Sequence, residues 1–143
     1  KGRRKKSYDF IANQIKEGRQ AFVVCPLIDA SDKLGVKSVT EEVEKSPHTK
    51  IIITHGTYTM PDTAKFLKSN LNRNDQTIIF TGSMIPLIGF TPSDAPFNLG
   101  FSIAKISELD PGVYVCMNGR IFSPDEIAKL LREGRFISVF GEK

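Results

Sequence analysis

The sequence has no tryptophan, two cysteines and two histidines among its 143 residues. Neither cysteine lies in a Cys-x-x-Cys pair, and so few histidines and cysteines cannot supply the usual set of zinc ligands. Cys25 and Cys116 each lie inside an apolar run, so we expect buried, reduced thiols. The composition therefore predicts neither a metal site nor another cofactor.

Long apolar runs are also absent. No stretch approaches the roughly 20 apolar residues that are needed to cross a bilayer. The first residues are strongly basic, and no apolar segment follows them as it would in a secretory signal. We therefore expect a cytoplasmic protein with no membrane contact.

An excess of one charge is confined to the N-terminus. The net charge is +4, residues 1–6 carry five positive charges, and the remaining charges nearly cancel. A basic block of this kind can follow the phosphates of a nucleic acid. However, no aromatic residues are interleaved with it and no basic helix face continues it, so we favour a solvated tail over a nucleic-acid site.

The rest of the chain alternates between strand and helix patterns. Its length and its 40% apolar content suit a single domain, residues 1–143. Apolar runs predict strands at residues 21–28, 50–54, 76–81 and 112–117. Strands that alternate with helices favour parallel βαβ units. We predict an α/β fold, a three-layer α/β/α sandwich with a mainly parallel, Rossmann-like or flavodoxin-like sheet of four to five strands.

Helical spacing and capping residues predict helices between and after these strands. They cover residues 8–18, 38–45, 61–67, 96–109 and 123–132. Asn118 and Gly119 are typical turn residues at the end of the last predicted strand. Residues 135–140 are predicted to add a short edge strand.

The strand at residues 50–54 leads into a turn that is rich in hydroxyl groups. Thr54, Thr57, Tyr58 and Thr59 follow one another closely before a helix that starts at Pro61. In open α/β sheets, ligands bind beyond the carboxyl ends of the strands. We therefore expect these side chains to lie where a substrate binds.

A long loop follows the next predicted strand. Residues 82–93 show no periodicity and contain apolar side chains without a regular partner, namely Ile85, Leu87, Ile88 and Phe90. Long loops at strand ends commonly bind ligands or partners. An exposed apolar patch there predicts a homodimer or a higher oligomer.

Four sequence blocks, in the same order, resemble the L-asparaginase (glutaminase) family. They are Ser46–Thr57, Thr81–Met84, Ser93–Leu99 and Gly112–Phe122. The segment Thr54–Met60 resembles the second active-site motif of that family. The resemblance covers about residues 46–140, and it implies a small amide substrate such as asparagine or glutamine.

The resemblance also implies roles for particular residues. Thr57 matches the second threonine of the family, and Lys129 matches its catalytic lysine. The family has an acid at the place of Tyr58, which orients the lysine and helps to hold the amino group of the substrate. A neutral phenol does not supply that charge. The implied catalytic residues are Thr57, Lys129 and Tyr58, and the implied substrate-binding residues are Thr54, Gly56, Ser83, Met84, Ser93 and Asp94.

Four of these residues have a plainer interpretation. Lys129 lies in a polar, helix-like stretch, where lysines are normally solvated. Thr57 can cap the helix that follows it. Ser93 and Asp94 can form a cap pair that never contacts a substrate. The sequence leaves both interpretations open.

The first 45 residues do not resemble the same family. The Thr-Gly-Gly-Thr-Ile motif, which carries the primary nucleophile in asparaginases, occurs nowhere in these 143 residues. Residues 18–29 and 33–42 are similar instead to the second motor domain of RecG-type DNA helicases. The Gly-Lys-Ser/Thr phosphate loop is absent, so we expect no ATP-driven unwinding.

Two resemblances that meet near residues 44–47 predict a chimera, natural or engineered, of a helicase-like segment (1–45) and an asparaginase-like segment (46–143). We favour an asparaginase-derived domain with an incomplete amidohydrolase site and little or no activity. One alternative is a small active amidohydrolase that uses Thr57 and Lys129. The other is a nucleic-acid-binding remnant of a helicase.

Overall fold

The computed structural model describes residues 39–88 and 92–141, together with residues 6, 9, 10, 13, 16 and 17. The strand predicted at 21–28, Cys25 and Phe90 lie outside the described residues. The elements in chain order are α1 (Val39–Lys45), β1 (Lys50–Thr54), α2 (Met60–Asn70), β2 (Thr77–Thr81), α3 (Ala95–Lys105), β3 (Gly112–Met117), β4 (Arg120–Phe122), β5 (Ile127–Leu130) and β6 (Arg135–Ser138).

Within the described ranges, the main sheet contains three parallel strands and one antiparallel strand, in the order β1-β2-β3-β4. Thr77 pairs with Lys50 on one side and with Gly112 on the other. Every residue of β2 is buried, as expected for a central parallel strand. The tight turn from β3 to β4 occurs at Asn118 and Gly119, which have φ values of 55° and 72°. The predicted α/β class with a mainly parallel sheet is confirmed.

Apolar side chains pack on both faces of the sheet because successive residues of a strand point to opposite sides. Ile78 and Phe80 point to the face that α1 and α2 cover, where Val43, Met60 and Leu67 complete the larger cluster. Ile79 and Cys116 point to the face of α3, where they pack with Ile106 and Phe101. The prediction for Cys116 is confirmed, since it is a buried free thiol, and burial raises its pKa.

Three of the predicted helices are present with shifted ends. α1 covers residues 39–45, α2 continues to Asn70 instead of Leu67, and α3 ends at Lys105 instead of Leu109. Pro61 lies in the first turn of α2, where its missing N–H group needs no partner. In the part of the chain that the structure describes, no helix has the length and apolar character of a membrane span.

The segment after β4 differs from the prediction. The sequence predicts a helix over residues 123–132, but residues 124–126 form a turn and β5 pairs with β6 in an antiparallel hairpin. The predicted strand near residues 135–140 does form, as β6, but it belongs to a separate two-stranded sheet and not to the edge of the main sheet. The prediction of a final helix is therefore wrong.

The hairpin forms because both of its strands contribute to the core. Ile127 on β5 is 8% exposed and Phe136 on β6 is 1% exposed, and both join the larger apolar cluster. Gly134, with a φ of 59°, supports the reversal between the strands. Burial of these two side chains overrides the helical propensity of residues 128–130.

Candidate active site

The carboxyl ends of β1 and β2 lie side by side. The His55 N–H donates a hydrogen bond of 2.8 Å to the Thr81 carbonyl. A side chain at Gly82 would clash with the carbonyl oxygen of His55, so only glycine permits this close approach. The turn after β1 and the loop after β2 therefore start from neighbouring points at the end of the sheet where ligands were predicted to bind.

The turn after β1 buries one hydroxyl group before α2 begins. Thr57 is 8% exposed, whereas Thr54 and Tyr58 are exposed. Thr59 occupies the N-cap position of α2, and no side-chain hydrogen bond caps the helix. Capping by Thr57, the plainer interpretation of its sequence position, is therefore not observed.

Thr57 and Lys129 meet although they lie far apart in the sequence. Lys129 Nζ donates a hydrogen bond of 2.8 Å to Thr57 Oγ1. Lys129 reaches this position from strand β5, not from the helix that the sequence predicts. Its side chain is half-buried, which does not match the plainer interpretation of a solvated lysine.

The ring of Tyr58 completes this group of three. Lys129 Nζ lies 3.8 Å from the centroid of the ring, a cation–π contact. Tyr58 itself is 79% exposed, so its ring also contacts the solvent. The structure thus brings together all three side chains that the family resemblance implies as catalytic.

Asp94 fastens the loop after β2. Its carboxylate accepts hydrogen bonds from the backbone N–H groups of Met84 and Ile85, at 3.0 and 2.9 Å. Ser93 Oγ donates to the Ile85 carbonyl at 2.8 Å and accepts from the Ala95 N–H at 3.1 Å. Neither residue is a simple helix cap, because most of these bonds bind the loop. Substrate contact by Ser93 and Asp94 stays a prediction.

The other predicted binding residues lie around the same sheet end. Gly56 is exposed, and its carbonyl is 2.8 Å from His55 Nδ1. Ser83 and Met84 are half-buried at the start of the loop, and the end of the Met84 side chain lies beside Gly134 in the turn between β5 and β6. The loop thereby contacts the hairpin that carries Lys129.

Sequence reasoning missed Asn98, which is 1% exposed. Its Nδ2 donates to the Gly82 carbonyl at 2.9 Å and to Asp94 Oδ2 at 2.8 Å, and its Oδ1 accepts from the Asn118 N–H at 3.0 Å. Asn98 therefore connects the loop after β2 to the turn after β3. The sequence did contain a signal for this contact, because residues four apart, such as Asp94 and Asn98, lie on the same face of a helix.

The pKa of the Asp94 carboxyl is lower than its ordinary value. Burial raises this pKa, but the N–H donors from Ile85 and Met84 and the amide of Asn98 outweigh that effect. A lowered folded-state pKa stabilises the fold above the unfolded-state value, about 3.9. That contribution is lost as the pH falls through the folded-state pKa.

We expect Asp94→Asn to lower the free energy of unfolding by about 1–2 kcal/mol near neutral pH, because a charged acceptor is lost. The difference between parent and variant should shrink below about pH 4. Urea denaturation at both pH values measures it. Asp110→Asn, at an exposed position, is the matched control. A difference that is the same at both pH values would contradict this role of the carboxylate.

The chain matches a known protein family over most of its length. The family model described as Asparaginase, N-terminal, matches residues 32–135, which is more than half of the chain and includes Thr57, Tyr58 and Lys129. The glutaminase-asparaginase of Acinetobacter glutaminasificans is 35% identical over 96 residues, which are 65% of this chain and 28% of that protein.

A solved structure shows the same likeness. The probable cytoplasmic L-asparaginase from Campylobacter jejuni aligns with a TM-score of 0.57 and 31% identity, over 64% of this chain and 29% of that one. The chain therefore spans less than a third of the length of either relative.

A second likeness is to helicases. The ATP-dependent DNA helicase RecG of Aquifex aeolicus is 30% identical over 82 residues, which are 54% of this chain and 10% of that protein. The asparaginase family model and the RecG match each cover more than half of the chain. The two matches must therefore overlap. The first match also begins at residue 32, which is earlier than the predicted boundary near residues 44–47.

Proposed function

Because the chain belongs to the asparaginase family, we propose that it is an asparaginase-type domain that presents half of an amidohydrolase site and has little or no turnover of its own. The observation that carries this proposal is the 2.8 Å hydrogen bond between Lys129 Nζ and Thr57 Oγ1. Transfer of an acyl group from an amide needs a nucleophile, a base and donors for the developing oxyanion. The pair supplies a hydroxyl group and an amine.

The half site is incomplete in two respects. The Thr-Gly-Gly-Thr-Ile motif that carries the primary nucleophile of the family is absent from these 143 residues. In addition, Lys129 contacts the ring of Tyr58 where the family has an acid, and it donates a hydrogen bond to Thr57 Oγ1 where a base would have to accept the hydroxyl proton. This geometry favours binding over turnover.

The proposed ligand is a small amide such as asparagine or glutamine. The substrate-binding residues that we propose come from the end of β1 and from the loop that Asp94 fastens, so they belong to two adjacent strand ends. They are Thr54, Gly56, Ser83, Met84, Ser93 and Asp94.

Ammonia release from L-asparagine and L-glutamine tests the proposal. The parent protein should release ammonia at or near the background rate, and Thr57→Ala and Lys129→Met should not differ from it. Lys50→Met is the matched control, because Lys50 is an exposed lysine at the opposite end of β1. Robust turnover by the parent that is lost in Thr57→Ala but kept in Lys50→Met would show that the half site suffices.

We also propose that the chain associates with a second copy through the loop after β2. Leu87 and Ile88 are 71% and 92% exposed there, and apolar patches of this kind mark protein contacts. Sedimentation at roughly tens of micromolar should show a dimer or larger species. The double variant Leu87→Ser with Ile88→Ser should shift it to monomer, whereas Leu131→Ser, at an exposed leucine in another turn, should not. A parent protein that stays monomeric would contradict the proposal.

Three further proposals concern the origin of the chain, an alternative function and its location. A chimeric origin is supported by the RecG likeness over part of the chain. A remnant that binds nucleic acid is the alternative function, and a salt-dependent titration with DNA tests it. The cytoplasmic location that the sequence suggests is likewise a proposal.

A further inference from the structure

The ammonium group of Lys129 lacks an anionic partner among the residues that the structure describes. Its contacts there are the hydroxyl group of Thr57 and the ring of Tyr58. The ion pairs of the described ranges involve other lysines and arginines. Lys129 is half-buried, and a charge that is partly removed from water is stabilised by an opposite charge, so this position favours an anion from outside the cluster.

The geometry of the pair suits one kind of anion. Thr57 uses its oxygen to accept from Lys129, and its own hydroxyl hydrogen has no acceptor within residues 39–88 and 92–141. Two donor atoms that lie 2.8 Å apart can each bind one oxygen of the same carboxylate. A neutral amide offers one oxygen and no charge, so it should bind the Thr57–Lys129 pair more weakly than a carboxylate does.

We propose that Thr57, Tyr58 and Lys129 form a receptor for a small carboxylate, which bridges Lys129 Nζ and Thr57 Oγ1 in preference to the matching neutral amide. This inference rests on the proposed function, because it concerns the same half site. The inference adds to the proposed function that the preferred ligand carries a negative charge at this position. It also implies that a ligand needs no amino group here, since no carboxylate in this cluster would hold one.

Substitutions at Tyr58 separate this proposal from a structural role of the cluster. Tyr58→Asp places a carboxylate beside Lys129, which then competes with the ligand for the same ammonium group. Tyr58→Phe keeps the ring over Lys129, so it should lose much less affinity than Tyr58→Asp. Both variants should fold, because Tyr58 is 79% exposed.

The test is a titration with succinate and with succinamide, its neutral diamide. Backbone amide resonances of Thr57, Tyr58 and Lys129 report binding by nuclear magnetic resonance. Succinate should bind saturably and at least about tenfold more tightly than succinamide, as expected for charge-assisted hydrogen bonds. Lys129→Met and Tyr58→Asp should each weaken succinate binding about tenfold or more, and Tyr58→Phe should weaken it by much less. Lys50→Met should bind as the parent does.

Three outcomes would overturn the proposal: succinate that does not saturate the site, succinamide that binds equally well, or full affinity in Lys129→Met or Tyr58→Asp. Circular dichroism shows whether Lys129→Met has folded, and the two Tyr58 variants decide the matter if it has not. Succinate binding involves no hydrolysis. If succinate fails to bind, the result of the ammonia assay is therefore unaffected. Conversely, ammonia release by the parent would contradict the proposed function without changing the binding result.

Discussion

Ammonia release from L-asparagine is expected to be about 10⁴- to 10⁶-fold slower than from an amidohydrolase with a complete site, which is the usual cost of losing a nucleophile. The family has two active-site threonines, each in its own motif. These 143 residues contain the motif of the second threonine, Thr57, but not the Thr-Gly-Gly-Thr-Ile motif of the first. Restoring the acid by Tyr58→Asp should recover little of this loss. An aspartate can orient Lys129, but it does not replace the missing hydroxyl group.

The comparison of parent, Tyr58→Asp and Tyr58→Phe in a continuous ammonia assay measures this expectation. Tyr58→Phe is the matched control because it keeps the ring over Lys129 and removes only the phenol oxygen. A gain of more than about a thousandfold in Tyr58→Asp, or about 4.1 kcal/mol of barrier, would identify the acid as the larger deficit. In that case the half site would be limited by the orientation of Lys129.

The strand and turn that carry Thr57 are predictable from the sequence because their signals are local. The apolar run Ile51–Ile53 and the proline at position 61 bracket the hydroxyl-rich turn, and β1 has the predicted ends. The same holds for β3 and the turn at Asn118. In each case, periodicity and turn chemistry lie within a few neighbouring residues.

The element that carries Lys129 is not predictable in this way. The sequence of β5 is compatible with a helix, and what makes it a strand is the burial of Ile127 together with a partner on β6. That information is non-local. The bonds of Asp94 to Met84 and Ile85 depend in the same way on the path of a loop without periodicity.

Phe136→Ala is expected to lower the free energy of unfolding by about 3–5 kcal/mol, because Phe136 is 1% exposed and a cavity would remain in the larger cluster. Domains of ordinary stability have only about 5–15 kcal/mol in total. Phe136 also lies directly opposite Lys129 in the β5–β6 pairing. The same substitution should therefore weaken the contact between Lys129 and Thr57.

Equilibrium urea denaturation measures the loss of stability, and Phe140→Ala is the matched control because Phe140 is 78% exposed near the end of the same strand. The control should change the free energy of unfolding by about 0.5 kcal/mol or less. Succinate titration of the folded Phe136→Ala protein reads out the site separately. A loss of less than about 1 kcal/mol would mean that Phe136 does not stabilise the hairpin. Another contact would then have to fix the position of Lys129, such as the hydrogen bond from Lys68 to Asp125 at the turn before β5.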